Sequence, residues 1–171
     1  MVGRARKDVN GTRARCRGTA QERAGLEGSV AGRPVGDDVD EGLWADVRPD
    51  AARRLLVAAV RAFATTGYHG TTTRDITTQA GVSPGALYVH FPTKAELLAR
   101  ISVDGHRATL QEVRSALSGL VDPMERVQAF VATFVAWHAR HHVIARVVHH
   151  ELAALPPAAF RTVAGLRRQI D

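Results

Sequence analysis

Residues 72–91, TTRDITTQAGVSPGALYVHF, constrain the fold of this chain more than any other segment. Thr72 or Thr73 can cap a short helix, and Gly81 can supply a tight turn after it. A second helix then starts with Pro84 at its first position, where a missing N–H costs nothing. Two short helices joined in this way form a helix-turn-helix, whose second helix enters the DNA major groove. The segment therefore predicts a DNA-reading unit.

Nine residues in and next to this unit are candidates for contact with DNA. Short side chains at the start of the second helix let its backbone and dipole approach the phosphates. Tyr88 can touch a thymine methyl group or a phosphate, and Arg74 is of the type that reads guanine. His90 and Lys94 are placed for phosphate contacts, which position a helix but carry no sequence information. The predicted set is Thr73, Arg74, Ser83, Pro84, Gly85, Ala86, Tyr88, His90 and Lys94. The alternative is a solvated helical hairpin in which Tyr88 is only partly buried.

The chain from Pro49 onward has apolar residues at helical spacing almost throughout, and no segment alternates with a period of two. These patterns predict an all-α fold with seven helices. Gly67 is expected to end the first helix, and the sixth is expected over residues 144–155. The predicted helix caps are Asp50, Thr72 or Thr73, Ser83, Thr93 and Asp122.

A longer pattern includes the predicted DNA-reading unit and reads Thr72-Thr73-Arg74-x-Ile76-x-x-x-Ala80-Gly81-Val82-Ser83-x-Gly85-x-Leu87-Tyr88-x-His90-Phe91-x-x-Lys94-x-x-Leu97. It resembles the signature of TetR-type transcriptional regulators, over about residues 50–100. The resemblance implies a ligand-responsive repressor, an all-helical homodimer that binds a palindromic operator in double-stranded DNA. Thr77 stands where that family usually has alanine, and we expect its hydroxyl to bond to the carbonyl four residues back.

The chain divides into three predicted segments. Residues 1–48 are rich in Arg, Gly, Ala and Asp without apolar periodicity, so we expect a disordered basic and acidic tail. This tail is either a solvated extension, a basic arm that adds phosphate contacts, or the result of a start codon assigned too early. Residues 49–95 form the predicted N-terminal three-helix DNA-binding headpiece. Residues 96–171 form a helical ligand-binding and dimerisation domain that is shortened relative to the family, which puts dimerisation in doubt.

Charge and composition narrow the class of partner. The formal net charge of +6 favours an anionic partner. Cys16 is the only cysteine, which excludes an internal disulfide and a multi-cysteine zinc site. The longest apolar stretch, residues 129–137, is far shorter than the roughly 20 residues of a membrane-spanning helix. The basic N-terminus has no apolar segment of the kind that a secretory signal contains. We therefore expect a soluble cytoplasmic protein that is not an enzyme and needs no cofactor.

Aromatic and aliphatic residues of the C-terminal part could line a pocket for a small hydrophobic effector. The predicted lining is Phe130, Phe134, Trp137, His138, Val148 and Leu152, with Phe160 nearby. The alternative is that these residues are ordinary core of a helix bundle.

A histidine cluster between His138 and Glu151 offers a second interpretation. His138 and His142 are four residues apart on one helix, a spacing that can chelate a divalent metal. The cluster lacks the second histidine of a zinc-protease motif, and no metal site is predicted from it. Two alternative functions remain at this point: a small helical metal-binding protein, or a truncated remnant of a TetR-type repressor without regulatory activity.

Overall fold

The computed structural model describes residue 39 and residues 41–170 of the 171-residue chain. This described part is helical and contains no strand, which confirms the predicted all-α fold. Its α-helices are α1 (Asp50–Gly70), α2 (Thr73–Ala80), α3 (Pro84–His90), α4 (Lys94–Leu117), α5 (Pro123–Arg140), α6 (His142–His150) and α7 (Pro157–Arg167). Two 3-10 helices, η1 (Glu41–Trp44) and η2 (Leu152–Ala154), precede α1 and α7. The disorder predicted for residues 1–38 lies outside the described residues.

The last part of the predicted tail is folded, which corrects the boundary expected at residue 48. Trp44, in η1, is 1% exposed, and its indole N–H donates to Asp104 Oδ2 at 3.0 Å. Val39 is also buried. One large aromatic side chain buries enough surface to hold a short segment against α1 and α4, although the segment has no apolar periodicity.

The helix caps follow the sequence in three cases out of five. Thr72, Thr93 and Asp122 each accept a hydrogen bond from the backbone N–H three residues on, as predicted. Asp50 is not a cap: Pro49 holds that position, and the Asp50 carboxylate instead pairs with arginines of the next turn. Ser83 occupies the N-cap position of α3, but its hydroxyl makes no capping bond.

The end of α1 is interrupted at Gly67, as the sequence predicted. Gly67 has φ 75° and ψ 165°, a conformation in which any other residue would be strained, and a last helical turn continues to Gly70. The sixth helix differs from its predicted range, since α6 begins at His142 and ends at His150. The 3-10 turn η2 then replaces its expected last residues.

The helices of the predicted headpiece and the C-terminal helices share one hydrophobic core. The buried residues of α1, α4 and α6 form a single cluster, in which α6 packs directly on both α1 and α4. Its fully buried members include Leu55, Leu56, Leu97, Ile101 and Ile144. A displacement of α6 would therefore change the packing of α1 and α4, which connect it to the headpiece.

The outer face of α5 is apolar and exposed. Met124, Val127, Val131 and Val135 recur at helical spacing and are each more than half exposed. Trp137 is the buried residue of this helix.

Candidate DNA-binding surface and ligand cavity

The α2–α3 unit has the geometry of a helix-turn-helix. A reciprocal capping box starts α2: the Thr72 hydroxyl accepts from the Asp75 N–H at 3.2 Å, and the Thr72 N–H donates to Asp75 Oδ2 at 2.9 Å. Hydrogen bonds from the side chain and backbone of Thr72 lower the pKa of Asp75. Gly81 ends α2 in the left-handed region, at φ 63° and ψ 38°, and α3 starts at Pro84. Residues close together in the chain thus determine where α2 starts and where it ends in the turn before α3.

Buried apolar residues lock the two helices together. Ile76 and Leu87 are fully buried, Ala80 is 6% exposed, and Val82 is packed against the same core. The Arg54 guanidinium of α1 donates to the carbonyl of Ala80 at 3.1 Å and so holds the end of α2. The Thr77 hydroxyl does find a carbonyl, but it is that of Arg74, three residues back at 3.1 Å rather than the expected four.

The predicted DNA-contacting residues lie on or near the exposed side of this unit. Arg74, Ser83, Pro84, Gly85 and Tyr88 are exposed, whereas Thr73, Ala86, His90 and Lys94 are partly buried. Tyr88 is 55% exposed, with its hydroxyl 3.4 Å from that of Thr73. A Cβ at Gly85 would meet no protein atom within 4 Å, so the chain's own packing does not require glycine there. Val89, next to Tyr88, is 79% exposed and is not among the predicted contacts.

Lys94 is committed to contacts within the protein. Its ammonium donates to the carbonyls of Tyr68 and Thr71, both at 2.7 Å, and lies 4.3 Å from the centroid of the Tyr68 ring. An ammonium has three donors, so one remains for a phosphate. The predicted phosphate contact stays a prediction.

A chain of polar contacts links α6 to this unit. Glu151, the residue after α6, accepts the backbone N–H of Tyr68 at 3.0 Å through Oε1. Tyr68 and Thr71 in turn receive Lys94, and Thr71 immediately precedes the cap of α2. Burial, and then the Glu151 carboxylate, raise the pKa of Tyr68. We call this set (Glu151, Tyr68, Lys94 and Thr71) the α6 link.

A partly open cavity of about 70 Å³ lies between α4, α5, α6 and the C-terminal end of the chain. Its lining residues are Gly105, His106, Thr109, Phe134, Trp137, His138, Val148, His149, Arg167 and Ile170. Four predicted pocket residues are among them: Phe134, Trp137, His138 and Val148. Leu152 and Phe160 instead line a separate surface depression, and Phe130 stacks on Phe134 with ring centroids 5.6 Å apart.

The cavity wall contributed by α4 and by the C-terminal end of the chain was missed. His106 reads as a lone polar residue on an apolar stripe, and Arg167 reads as a solvated charge near the end of α7. Nothing in the sequence around either residue predicts that its side chain lines a cavity. Only the packing of the helices brings these residues to the aromatic side chains of α5.

Two imidazole rings of the cavity are fixed by backbone carbonyls. Nδ1 of His106 lies 2.7 Å from the Ser102 carbonyl oxygen, and Nδ1 of His138 lies 2.8 Å from that of Phe134. Because a carbonyl can only accept, Nδ1 carries the hydrogen, and Nε2 of the neutral ring is an acceptor. Burial first, and then the electrostatic effect of nearby cations including Arg167, lower the pKa of His106 and of His149.

The structure does not assemble the metal site that the histidine cluster suggested. His138 lies in the cavity wall, whereas His142 is exposed. Across residues 41–170, no group of three or more His, Cys, Asp or Glu side chains is arranged to hold a metal ion. The alternative of a metal-binding protein therefore lacks support. No helix in this same range combines the length and apolar character needed to cross a bilayer.

Two family models match the chain. The model described as "Bacterial regulatory proteins, tetR family" matches residues 55–101, which include the helix-turn-helix. The model described as "Tetracyclin repressor-like, C-terminal domain" matches residues 120–171. The two segments together span more than half of the chain.

Individual relatives agree with these matches. The chain is 35% identical over 83 residues to the "HTH-type transcriptional regulator LmrA" of Bacillus subtilis (strain 168), covering 48% of this chain and 44% of that protein. It is 33% identical over 100 residues to the "HTH-type transcriptional repressor KstR2" of Mycobacterium tuberculosis (strain ATCC 25618 / H37Rv), covering 58% and 49%. A crystal structure of a tetR-family regulatory protein from Rhodococcus RHA1 is 39% identical, with a TM-score of 0.67 over 70% of this chain and 63% of that one. The chain thus spans about half the length of the curated relatives it matches.

Proposed function

Because this chain belongs to the TetR family of bacterial transcription regulators, we propose that it is a ligand-responsive DNA-binding regulator, most simply a repressor. One observation carries the proposal: the α2–α3 unit is locked from beneath by buried apolar residues and exposes small side chains and Tyr88 on its outer side. In a helix-turn-helix, the second helix lies in the major groove with its N-terminal residues towards the base edges, and the small side chains at the start of α3 favour such an approach. The family is one of DNA-binding regulators rather than of enzymes, in agreement with the function proposed here.

We assign residues 49–95 to DNA binding and residues 96–171 to regulation. In the DNA-binding part, Arg74, Tyr88 and the start of α3 are the proposed readers of base edges. Thr73, His90 and Lys94 are the proposed phosphate contacts that set its position. The absence of protein atoms around the Cβ position of Gly85 supports a close approach of the α3 backbone to DNA.

The proposed assembly is a homodimer on a palindromic operator. In a dimer of this kind, two recognition helices bind half-sites one turn of DNA apart, about 34 Å. The exposed apolar face of α5 supports association, since apolar patches of this kind are commonly covered in an assembly.

The effector is proposed to bind in the cavity of about 70 Å³. Its binding is proposed to change the position of the headpiece through α4 and the α6 link. The shared core of α1, α4 and α6 supports this route.

The test is a selection of bound sequences from random double-stranded DNA, followed by fluorescence anisotropy on the selected site. We expect a palindrome, binding that weakens with salt, and a particle of twice the 18.4 kDa chain mass by light scattering. Tyr88→Ala should weaken binding at least tenfold, whereas the control Gln111→Ala, on an exposed position of α4, should not. Recovery of no preferred sequence, with only weak binding to every duplex, would refute a sequence-specific regulator.

A further inference from the structure

The polar side chains that α4 contributes to the cavity wall have already used their hydrogens. Nδ1–H of His106 donates to the Ser102 carbonyl at 2.7 Å. The Thr109 hydroxyl donates to the Gly105 carbonyl at 2.9 Å. A neutral imidazole has one N–H and a threonine hydroxyl has one hydrogen, so both side chains can only accept a further hydrogen bond.

The remaining acceptor of His106 can be reached from the cavity. His106 is 6% exposed and lines the cavity. Its Nε2 has no hydrogen-bond partner between residues 41 and 170, yet it is not among the unpaired side-chain atoms that are fully enclosed there. Buried polar groups in native proteins nearly always have a partner. A hydrogen-bond donor that enters the cavity can supply this one.

A second imidazole of the wall offers the same kind of atom. Nδ1–H of His138, on α5, donates to the Phe134 carbonyl at 2.8 Å, which leaves Nε2 of the neutral ring as an acceptor. The polar groups that α4 and α5 bring to the cavity therefore ask for a donor from the ligand.

The charges around the cavity disfavour both kinds of ionised ligand. Arg167 is a lining residue, and no carboxylate lies in the described lining. Burial first, and then the charge of Arg167, lower the pKa of His106 and of His149, so a positive potential reaches these rings. An ammonium group would meet the same potential. A carboxylate would bring its lone pairs against those of Nε2 and of the Thr109 oxygen. A neutral donor avoids both conflicts.

The remaining lining is apolar and sets the size of the ligand. Phe134, Val148 and Ile170 provide aromatic and aliphatic surface beside the polar groups. If each water-sized group needs roughly 10–15 Å³ of this measure, then the cavity of about 70 Å³ holds about five to seven such groups. The cavity is partly open, so a larger molecule can extend out of it.

We propose that the effector is a neutral hydroxyl compound with a compact apolar body, and that its hydroxyl donates to Nε2 of His106. The apolar body lies against Phe134 and Val148. This assignment rests on the proposed function only in calling the ligand an effector. The binding chemistry follows from the lining itself.

Calorimetry on the full chain at pH 7.5 tests this chemistry with phenol, toluene, benzoate and benzylamine. Phenol and toluene have the same number of non-hydrogen atoms and differ in the hydroxyl group. A site that pairs with a hydroxyl rejects the analogue that lacks it, because its buried acceptor is left unpaired. We therefore expect phenol to bind at least about tenfold more tightly than toluene. Benzoate and benzylamine should both bind more weakly than phenol.

His106→Phe removes the acceptor and keeps an aromatic ring. The ratio of phenol to toluene affinity should fall at least about tenfold in this variant, and the ratio cancels any change in the size of the cavity. The control His150→Phe alters an exposed histidine that does not line the cavity, and it should leave the ratio unchanged.

Three results would overturn the proposal: no binding of phenol at millimolar concentration, toluene bound as tightly as phenol, or an unchanged ratio in His106→Phe. A spectroscopic readout on wild type keeps the test decisive if His106→Phe does not fold. In a chain with ¹⁵N-labelled histidine, phenol should shift the Nε2 resonance of His106, identified by its absence from His106→Gln, and toluene should not. No shift with phenol would equally overturn the proposal.

A DNA arm separates this inference from the proposed function. The operator affinity of wild type and of His106→Phe is measured with phenol, with toluene and without either, and phenol should weaken operator binding by wild type only. Operator binding without any phenol binding would overturn this inference and leave the DNA-binding function standing. Phenol binding through His106 in a chain that binds no DNA would overturn the proposed function instead.

Discussion

Removal of the Glu151 carboxylate should weaken both the fold and the communication between the cavity and the headpiece. Oε1 of this partly buried residue accepts the Tyr68 N–H at 3.0 Å, directly after the break in α1 at Gly67. Hydrogen bonds to charged groups contribute about 1.5–3 kcal/mol. Because Glu151 is only partly buried, we expect Glu151→Ala to lower the free energy of unfolding by about 1–2 kcal/mol, near the lower end of that range.

Urea denaturation followed by circular dichroism at 222 nm measures this change. Glu151→Gln keeps an oxygen acceptor without the charge and should lie between wild type and Glu151→Ala. The matched control is Glu112→Ala, which removes an exposed carboxylate paired with Arg140 at 2.5 Å, and exposed pairs of this kind contribute about 0–1 kcal/mol.

A functional readout distinguishes a link from a purely structural contact. In Glu151→Ala, the operator affinity without ligand should be nearly preserved, whereas its reduction by a cavity ligand should be smaller than in wild type. An unchanged urea midpoint together with an unchanged ligand effect would refute the reasoning, because it would mean that the Glu151–Tyr68 contact carries neither stability nor coupling.

The remaining predictions concern the headpiece and the cavity histidines. Gly85→Ala should raise the free energy of unfolding by about 0.5–1 kcal/mol, because alanine favours the helix and its Cβ meets no protein atom, yet it should weaken operator binding in anisotropy titrations. A variant with unchanged operator affinity would contradict close approach of DNA at this residue. Lys94→Ala should reduce the slope of log affinity against log salt by about one if the third donor of its ammonium binds a phosphate. A change in sequence preference instead would contradict the phosphate role. His106 and His149 have lower pKa values in the folded than in the unfolded chain, so the unfolded chain binds more protons below about pH 6.5. The free energy of unfolding should therefore fall as the pH drops from 7.5 through 6.5 to 5.5, with a smaller fall in His106→Gln; a pH-independent urea midpoint would contradict this.

The parts of the fold that the sequence could predict are those determined by near neighbours in the chain. The capping box of Thr72 and Asp75, the left-handed turn at Gly81 and the break at Gly67 each depend on a few consecutive residues. The failures among the caps have a local cause too, since Asp50 has arginines within one turn that compete for its carboxylate. Short-range rules identify which residues can cap a helix, but not which competing contact is made.

The parts that could not be predicted depend on contacts between distant residues. Trp44 and Asp104 are 60 positions apart, and the sequence next to Trp44 has no pattern that predicts its burial in the fold. The same holds for the cavity, where Arg167 and His106 meet the aromatic side chains of α5 only because of how the helices pack. Helical periodicity gives the buried face of each helix, but it does not say which two faces meet.

The continuity of α4 has a mechanical consequence. This helix begins at Lys94, beside the headpiece, and passes the cavity at Gly105 and His106 without interruption. At a rise of 1.5 Å per residue, about 18 Å separate Lys94 from His106, so a tilt of about 10° about the cavity would move the Lys94 end by about 3 Å. That displacement is close to the separation of neighbouring base pairs, about 3.4 Å. A small rotation of one rigid rod would therefore suffice to bring a recognition helix out of register with its half-site.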